Sequence, residues 1–393
     1  MLYRRFGRTN LQIPVFSCGG MRYQYKWQDV SEREIPADGQ ENLENTIRRS
    51  LDLGINHIET ARGYGTSEMQ LGKILPKLPR EKLIVQTKIE PSADPKAFLK
   101  TFEQSLRYLK LDYVDLLGFH GVNLESHLEE SIRPGGCLEV ARKLQEQGKV
   151  RFIGFSTHGS TDLIVKTIAT NQFDYVNLHW YYINQQNWEA IAAANRQDMG
   201  VFIISPSNKG GLLYQPSQRL LELCAPLSPI VFNNLFCLSH PQVHTLSIGA
   251  ARPQDFDEHL KTLDLLDRVD EVLPPIIDQL EKAAIERLGE DWLNTWRMGL
   301  PTHEQTPGGL NIPVVLWLRN LAIAYDMTDY AKMRYNLLGQ ANHWFPGIRA
   351  DAIDSSALKE CLSNSPHADK IPDLLIETHQ LLAGEAVKRL RSD

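Results

Sequence analysis

The chain has 393 residues, with 42 Lys and Arg set against 48 Asp and Glu, a formal charge of −6 at pH 7 and a pI near 6.1. Acids and bases are interspersed, which excludes nucleic acid and an anionic membrane as bulk partners. The length suits one large barrel or two to three ordinary domains, with ample core in either case. Cys18, Cys137, Cys224, Cys237 and Cys361 are scattered without paired spacing, the pattern of reduced thiols and not of a disulfide framework. The opening Met1-Leu2-Tyr3-Arg4-Arg5 has no signal-peptide core, and no apolar run approaches about 18 residues. A soluble cytoplasmic protein is expected.

In chain order, Tyr3 to Phe6, a Gly7-Arg8-Thr9-Asn10 turn and Leu11 to Val15 predict a hairpin. Short apolar runs follow at 15–19, 57–61, 83–89, 114–120, 150–156, 175–180, 201–206 and 245–250. Such runs fit strands buried on both faces. Helical patterns separate them, for example Leu43, Ile47 and Leu51 at i, i+4 and i+8. Eight strands alternating with helices predict a (β/α)8 TIM barrel over residues 1–269. A doubly wound sheet is the alternative, but no Gly-x-Gly-x-x-Gly follows the first strand. Beyond about 270 the repeat stops. Helical stretches at 271–287 and 314–324, separated by Pro-Gly-rich segments, predict a mainly helical C-terminal extension over 270–393.

Titratable residues fall at the C-terminal ends of three successive candidate strands, the edge where parallel barrels keep their catalytic groups. The second strand ends at Glu59, and Tyr64 follows in a glycine-flanked turn that leads to a helix capped by Thr66 or Ser67. The third ends Thr87-Lys88 and the fourth Gly118-Phe119-His120. Singly these read as a loop tyrosine, a solvated strand end and a core histidine. Jointly they define a chemistry. A tyrosine hydroxyl can protonate a carbonyl oxygen that gains negative charge, and a neighbouring cation lowers its ordinary pKa of about 10. Lys88 supplies the cation, Glu59 holds it, and His120 orients the carbonyl.

The run Glu59-Thr60-Ala61-Arg62-Gly63-Tyr64-Gly65-Thr66-Ser67-Glu68-x-x-Leu71-Gly72 resembles the aldo-keto reductase signature. That resemblance implies a (β/α)8 barrel reductase of carbonyl compounds that uses NAD(P)H and an Asp, Tyr, Lys, His tetrad. Tyr64 would be the acid, Lys88 its partner and His120 the substrate-orienting residue, with Glu59 in the aspartate position. Gly20, Met21 and Arg22 resemble the loop that passes the nicotinamide. Ile153-Gly154-Phe155-Ser156-Thr157 resembles the family's carboxamide-binding Ile-Gly-x-Ser-Asn, and Asn177 stands where a glutamine is usual. Ser205 and Lys209 fall in a segment similar to the pyrophosphate loop, with Ile204 in place of a stacking aromatic. The run from Ile248 through Gly249, Arg252, Glu258 and His259 resembles the adenosine-phosphate motif. Arg252 implies NADP, with NAD the alternative.

Some members of that family carry a ferredoxin-like tail ending Cys-Pro-x-Gly-x-x-Ile-Pro. Thr306-Pro307-Gly308-Gly309-Leu310-Asn311-Ile312-Pro313 keeps the frame without the cysteine. The spacing Cys-x2-Cys-x2-Cys-x3-Cys-Pro then falls on Trp296, Gly299, Thr302 and Thr306, so no iron–sulfur cluster and no metal are expected. The leading expectation is an NADPH-dependent reductase of a small-molecule aldehyde or ketone. A nucleotide-binding sensor or regulatory subunit with little turnover is the alternative, as in potassium-channel β subunits. An unrelated barrel isomerase or aldolase using Lys88 is a third.

Overall fold

The N-terminal hairpin pairs β1 (Tyr3–Arg5) with β2 (Gln12–Pro14). It turns through Gly7–Thr9 and Asn10, the latter left-handed at φ 55°, a conformation that asparagine tolerates. Eight more strands follow: β3 (Phe16–Gly19), β4 (His57–Glu59), β5 (Ile84–Ile89), β6 (Val114–Phe119), β7 (Val150–Ser156), β8 (Tyr175–Leu178), β9 (Gly200–Ile203) and β10 (Thr245–Ile248). They pair in parallel in chain order, and β10 closes on β3. This is the (β/α)8 barrel with an N-terminal hairpin that the strand pattern predicts. The expected strands are all present, most of them trimmed by a residue or two.

The computed structural model describes residues 1–340, 345–351 and 355–384. It divides into two units. The first comprises Met1–Gly210 and Asn233–Asp267 and holds the barrel; the second takes Gly211–Phe232 and the described residues from Arg268 onward.

Barrel strands place alternate side chains inside. At the N-terminal end, Phe6 of the hairpin is fully buried with Ile13, Ile84, Leu116, Tyr175 and Phe202, and it plugs the opening. Gly200 leaves room for that ring, since a Cβ there would stand 2.6 Å from it. Higher up the interior turns polar. The Ser17 hydroxyl lies 2.6 Å from His57 Nδ1 and 2.7 Å from Thr245 Oγ1, and His57 Nε2 lies 3.1 Å from Gln86 Oε1. Burial lowers the His57 pKa to about 3, so the ring is neutral. Two residues further along their strands come Gly19, Glu59, Lys88 and Gly118, still pointing inward. Gly118 and Gly154 are paired neighbours on β6 and β7, and both make space. A Cβ at Gly118 would lie 2.9 Å from the Lys88 stem, and one at Gly154 would lie 2.5 Å from the Tyr175 ring.

The second unit is helical among its described residues. Ile312–Tyr325 begins at Pro313 and Asn311, whose side chain caps the Val314 N–H at 3.1 Å. It is buried on most sides and packs against Val269–Leu288, and Leu280, Ala284, Val315 and Leu318 of the two helices are all buried. The Trp292 indole donates to Asn320 Oδ1 at 2.9 Å, which satisfies a buried donor. Gly299 and Thr306, two of the positions compared with the ferredoxin cysteine spacing, line one cavity of about 650 Å³ together with Cys361.

The packing makes a paired prediction. Gly154→Ala forces a methyl onto the buried Tyr175 ring and should destabilise the protein by about 1–3 kcal/mol. Gly39→Ala, in the helix Ala37–Asp52 with nothing within 4 Å, should stabilise it by about 0.5–1 kcal/mol. Urea denaturation checks both signs, and equal effects would contradict the packing described.

Candidate active site

β4, β5 and β6 end side by side, so Glu59, Lys88 and His120 rise from adjacent strands. Lys88 is paired in register with Gly118, and Glu59 with Gln86. The Lys88 side chain is 1% exposed and forms an ion pair with Glu59, itself 4% exposed. Its Nζ also donates to the Thr60 carbonyl at 2.8 Å. Burial pushes the Lys88 pKa well down, and the contacting carboxylate opposes that shift and keeps the ammonium charged. The longer arm of glutamate has its own space. A Cβ at Gly19 would lie 3.3 Å from Glu59 Oε2 and 2.5 Å from Ser247 Oγ. Only glycine fits there.

Tyr64 sits above this pair. Lys88 Nζ is 4.9 Å from the centre of its ring, and the His120 ring meets it edge to face at 5.7 Å and 86°. The structure therefore brings the four residues of the expected tetrad together. The turn that carries Tyr64 is fastened at several points. The Arg62 N–H donates to Lys88 O at 2.9 Å, and the Tyr64 N–H donates to Ala61 O at 3.0 Å. The Arg62 guanidinium bonds Glu68 Oε2 at 3.0 Å and also pairs with Asp29. Burial pushes the Glu68 carboxyl up, against the Thr87 hydroxyl at 2.6 Å and the Arg62 charge.

The helix after Tyr64 differs from expectation. It is short, Ser67–Leu71, and the Thr66 hydroxyl does not cap it. That hydroxyl instead accepts the N–H groups of Tyr25 and Lys26 at 3.0 and 3.1 Å, so it fastens the first βα loop to the Tyr64 turn. A Cβ at Gly65, where φ is +54°, would collide with Lys26 O at 1.9 Å. The same loop sets the exposed Trp27 edge-on against Tyr64 at 6.4 Å. Trp27 was outside the sequence-derived set, because no spacing links a loop tryptophan to a residue 37 positions later.

The residues assigned to the nucleotide divide into two groups. Ser156 and Asn177 face each other in register on β7 and β8. Ser156 Oγ accepts the Gly121 N–H at 3.1 Å, and the Thr157 hydroxyl donates to Val122 O at 2.7 Å. Asn177 is fully buried, and neither its Oδ1 nor its Nδ2 has a hydrogen-bond partner. An amide held in that state loses about 1–3 kcal/mol per unmade bond, so a ligand amide would be a complementary partner. Gly20 is wedged under the same mouth, its N–H on Glu59 O at 2.7 Å, and Met21 follows it, half-buried.

At the other end Arg22 bonds Gly249 O at 2.6 Å and lies 3.6 Å from Asp255. Arg252 reaches Asp255 at 3.2 Å with 71% of its side chain exposed. Two guanidinium groups thus flank one carboxylate beside the β10 end. Glu258 pairs with Lys261 at 2.6 Å. His259 points inward, where the Asn234 amide lies 2.9 Å from its Nδ1 and burial lowers its pKa to about 4. Ser205 has a left-handed φ of 56° at the start of the next loop. Lys209 lies against His158 and His179, two residues that motif comparison passed over. Among the described residues no group of three or more His, Cys, Asp or Glu is arranged to hold a metal.

A parallel eight-stranded barrel with Tyr, Lys, His and a carboxylate gathered at its C-terminal mouth defines the class, and comparison with known proteins agrees. Residues 17–222 match the model of the Aldo/keto reductase family. The chain belongs to that family. It is 32% identical to L-galactose dehydrogenase of Arabidopsis thaliana over 162 residues, 39% of this chain and 47% of that protein. It is 27% identical to L-glyceraldehyde 3-phosphate reductase of Escherichia coli (strain K12) over 174 residues, 40% of this chain and 46% of that protein. Each alignment spans about half the length of the curated relative. An aldo-keto reductase from Klebsiella pneumoniae, solved in complex with NADPH, shares the fold with a TM-score of 0.55 at 20% identity, over 70% of this chain and 95% of that one.

The buried pair has a consequence for stability. Glu59→Gln leaves the Lys88 ammonium without its counter-charge, a loss of about 3–5 kcal/mol near neutral pH. The folded-state pKa of Lys88 then falls further below its unfolded value of about 10.4, so across that window the unfolded chain binds a proton that the folded chain lacks. Stability of the variant should rise with pH through the window, relative to wild type. Urea midpoints at pH 7 and pH 9.5 check this, and a deficit that does not shrink would contradict it.

Proposed function

We propose that this chain is an NADPH-dependent oxidoreductase that reduces an aldehyde or ketone to an alcohol, with Tyr64 as the general acid. The observation that carries the reading is the Tyr64 ring 4.9 Å from the Lys88 ammonium and 5.7 Å from the His120 imidazole, with Lys88 ion-paired to Glu59. A carbonyl oxygen drawn toward the Tyr64 hydroxyl meets a proton donor, a fixed positive charge and an imidazole at once. Glu59 and Thr60 hold Lys88 in place, so little reorganisation accompanies proton transfer. The Arg62–Glu68 bridge and the Thr66 hydroxyl keep the Tyr64 turn rigid, as accurate positioning requires.

When bound, the nicotinamide supplies the hydride. Asn177 fits its carboxamide, because that amide is the buried group with an unmet donor and an unmet acceptor. Ser156, with a hydroxyl proton still to donate, stands opposite Asn177. Arg252, mostly exposed at the β10 end, supports a 2′-phosphate and hence NADP over NAD. The relatives named above are a dehydrogenase of L-galactose and a reductase of L-glyceraldehyde 3-phosphate, and a small uncharged or charged carbonyl is the proposed substrate class.

Tyr64→Phe removes the donated proton and keeps the ring packing. Turnover of any accepted aldehyde should fall by about a hundredfold or more, with NADPH binding retained. Unchanged turnover in that variant would overturn the acid assignment. Tight NADPH binding with no reduction of any aldehyde or ketone by the wild type would instead select a nucleotide sensor.

A further inference from the structure

β10 ends in a short segment, residues 249–254, that leads to the helix Asp255–Leu260. Asp255 is fixed there from several sides, and its side chain is only 10% exposed. The Ala251 N–H donates to its Oδ2 at 2.8 Å. The carbonyl of the same residue is held at 2.7 Å by the Asn42 amide, from the helix Ala37–Asp52. Arg252 Nε–H donates to Asp255 Oδ1 at 3.2 Å. Arg22 comes within 3.6 Å of Oδ2, its own place set by the Gly249 carbonyl at 2.6 Å. A Cβ at Gly249 would lie 3.2 Å from the Arg22 stem, so the glycine leaves room for that arginine.

The other acids of the helix are placed differently. Asp257 pairs with Arg49 at 2.9 Å, with more than half of its side chain exposed. Glu258 pairs with Lys261 at 2.6 Å. Asp255 is the acid that meets Arg252, and the clamped Ala251 peptide keeps it from turning away.

That contact matters for any anion brought to Arg252. The guanidinium has 71% of its side chain exposed, and its outer nitrogens can bond a phosphate. One hydrogen bond of about 2.9 Å beyond the guanidinium, such a phosphate stays inside the Debye length of about 8 Å from the carboxylate. Salt therefore does not hide the two like charges from each other. A 2′-hydroxyl at the same place carries no charge and meets no such repulsion.

We propose that Asp255 is a specificity-determining residue for the cofactor. Its carboxylate offsets the Arg252 charge, so the chain discriminates only weakly between a 2′-phosphate and a 2′-hydroxyl and takes both NADPH and NADH. The proposal rests on the reading above that Arg252 meets the 2′ position. Arg252 gives the preference its direction, and Asp255 limits its size.

The test uses the full chain and two adenosine fragments, 2′,5′-ADP and 5′-AMP, which differ only in the 2′-phosphate and cannot react. Dissociation constants come from isothermal titration calorimetry, with NADP⁺ and NAD⁺ as the matching dinucleotide pair. The wild type should bind the 2′-phosphorylated member of each pair more tightly by no more than about tenfold, or 1.4 kcal/mol. Asp255→Asn keeps an acceptor for Arg252 and removes the charge, and it should widen the ratio by about a further tenfold. Asp257→Asn takes the same charge from the same helix away from Arg252, and it should leave the ratio unchanged. A larger ratio in the wild type overturns the proposal before any variant is made. An unchanged or narrower ratio in Asp255→Asn overturns it too, as does equal widening by Asp257→Asn. If neither fragment and neither dinucleotide binds, the nucleotide reading itself fails and takes this proposal with it. Binding at a ratio that Asp255→Asn does not move removes the proposal alone.

Discussion

The buried Glu59–Lys88 ion pair is the constraint around which the barrel mouth is arranged. An ammonium and a carboxylate taken out of water lose several kcal/mol of hydration each, and only close mutual contact with additional hydrogen bonds offsets that loss. Thr60 O supplies one such bond. A pair this enclosed is weak evidence for added stability. The use offered by the geometry is a fixed positive charge beside Tyr64.

Several features far apart in sequence exist to accommodate that pair. Gly19 and Gly118 carry no side chain because the Glu59 carboxylate and the Lys88 stem occupy the space. Gly154 does the same for Tyr175, which supports the layer below. The interior then grades from the apolar plug around Phe6, through the neutral Ser17–His57–Gln86 network, to the charged mouth. The turn above is tied down by side chains that touch no reacting group. Arg62 links Glu68 to Asp29, and Thr66 binds the first loop, so Trp27 and Tyr64 are held as one surface.

Much of this was legible from residues alone, for physical reasons. Short apolar runs alternating with amphipathic helices allow few folds, and the eight strands fell where expected. Glu59, Lys88 and His120 could be named before any geometry because they end successive candidate strands, where parallel barrels keep their catalytic groups. Asn177 was marked only by the family resemblance. What stayed hidden depends on distance across the barrel. The cluster of His158, His179 and Lys209 involves loops separated by 21 and 30 residues, and nothing local marks two histidines as neighbours. The Thr66 hydroxyl reads as a helix cap until the position of Tyr25 is known. The inward turn of His259 follows from packing on Phe16 and Asn234. Gly19 reads as an ordinary strand end until Glu59 is seen beside it.

The central claim is that the positive charge of Lys88, held by Glu59, drives the chemical step at Tyr64. Replacing Lys88 with Met keeps the length and the apolar stem and removes the charge. The direct measurement is the single-turnover rate of NADPH oxidation when preformed enzyme–NADPH complex is mixed with an aldehyde. The account predicts that Lys88→Met binds NADPH as the wild type does and oxidises it at least about a hundredfold more slowly, a barrier increase of about 2.7 kcal/mol. Equal single-turnover rates in the two proteins would contradict it.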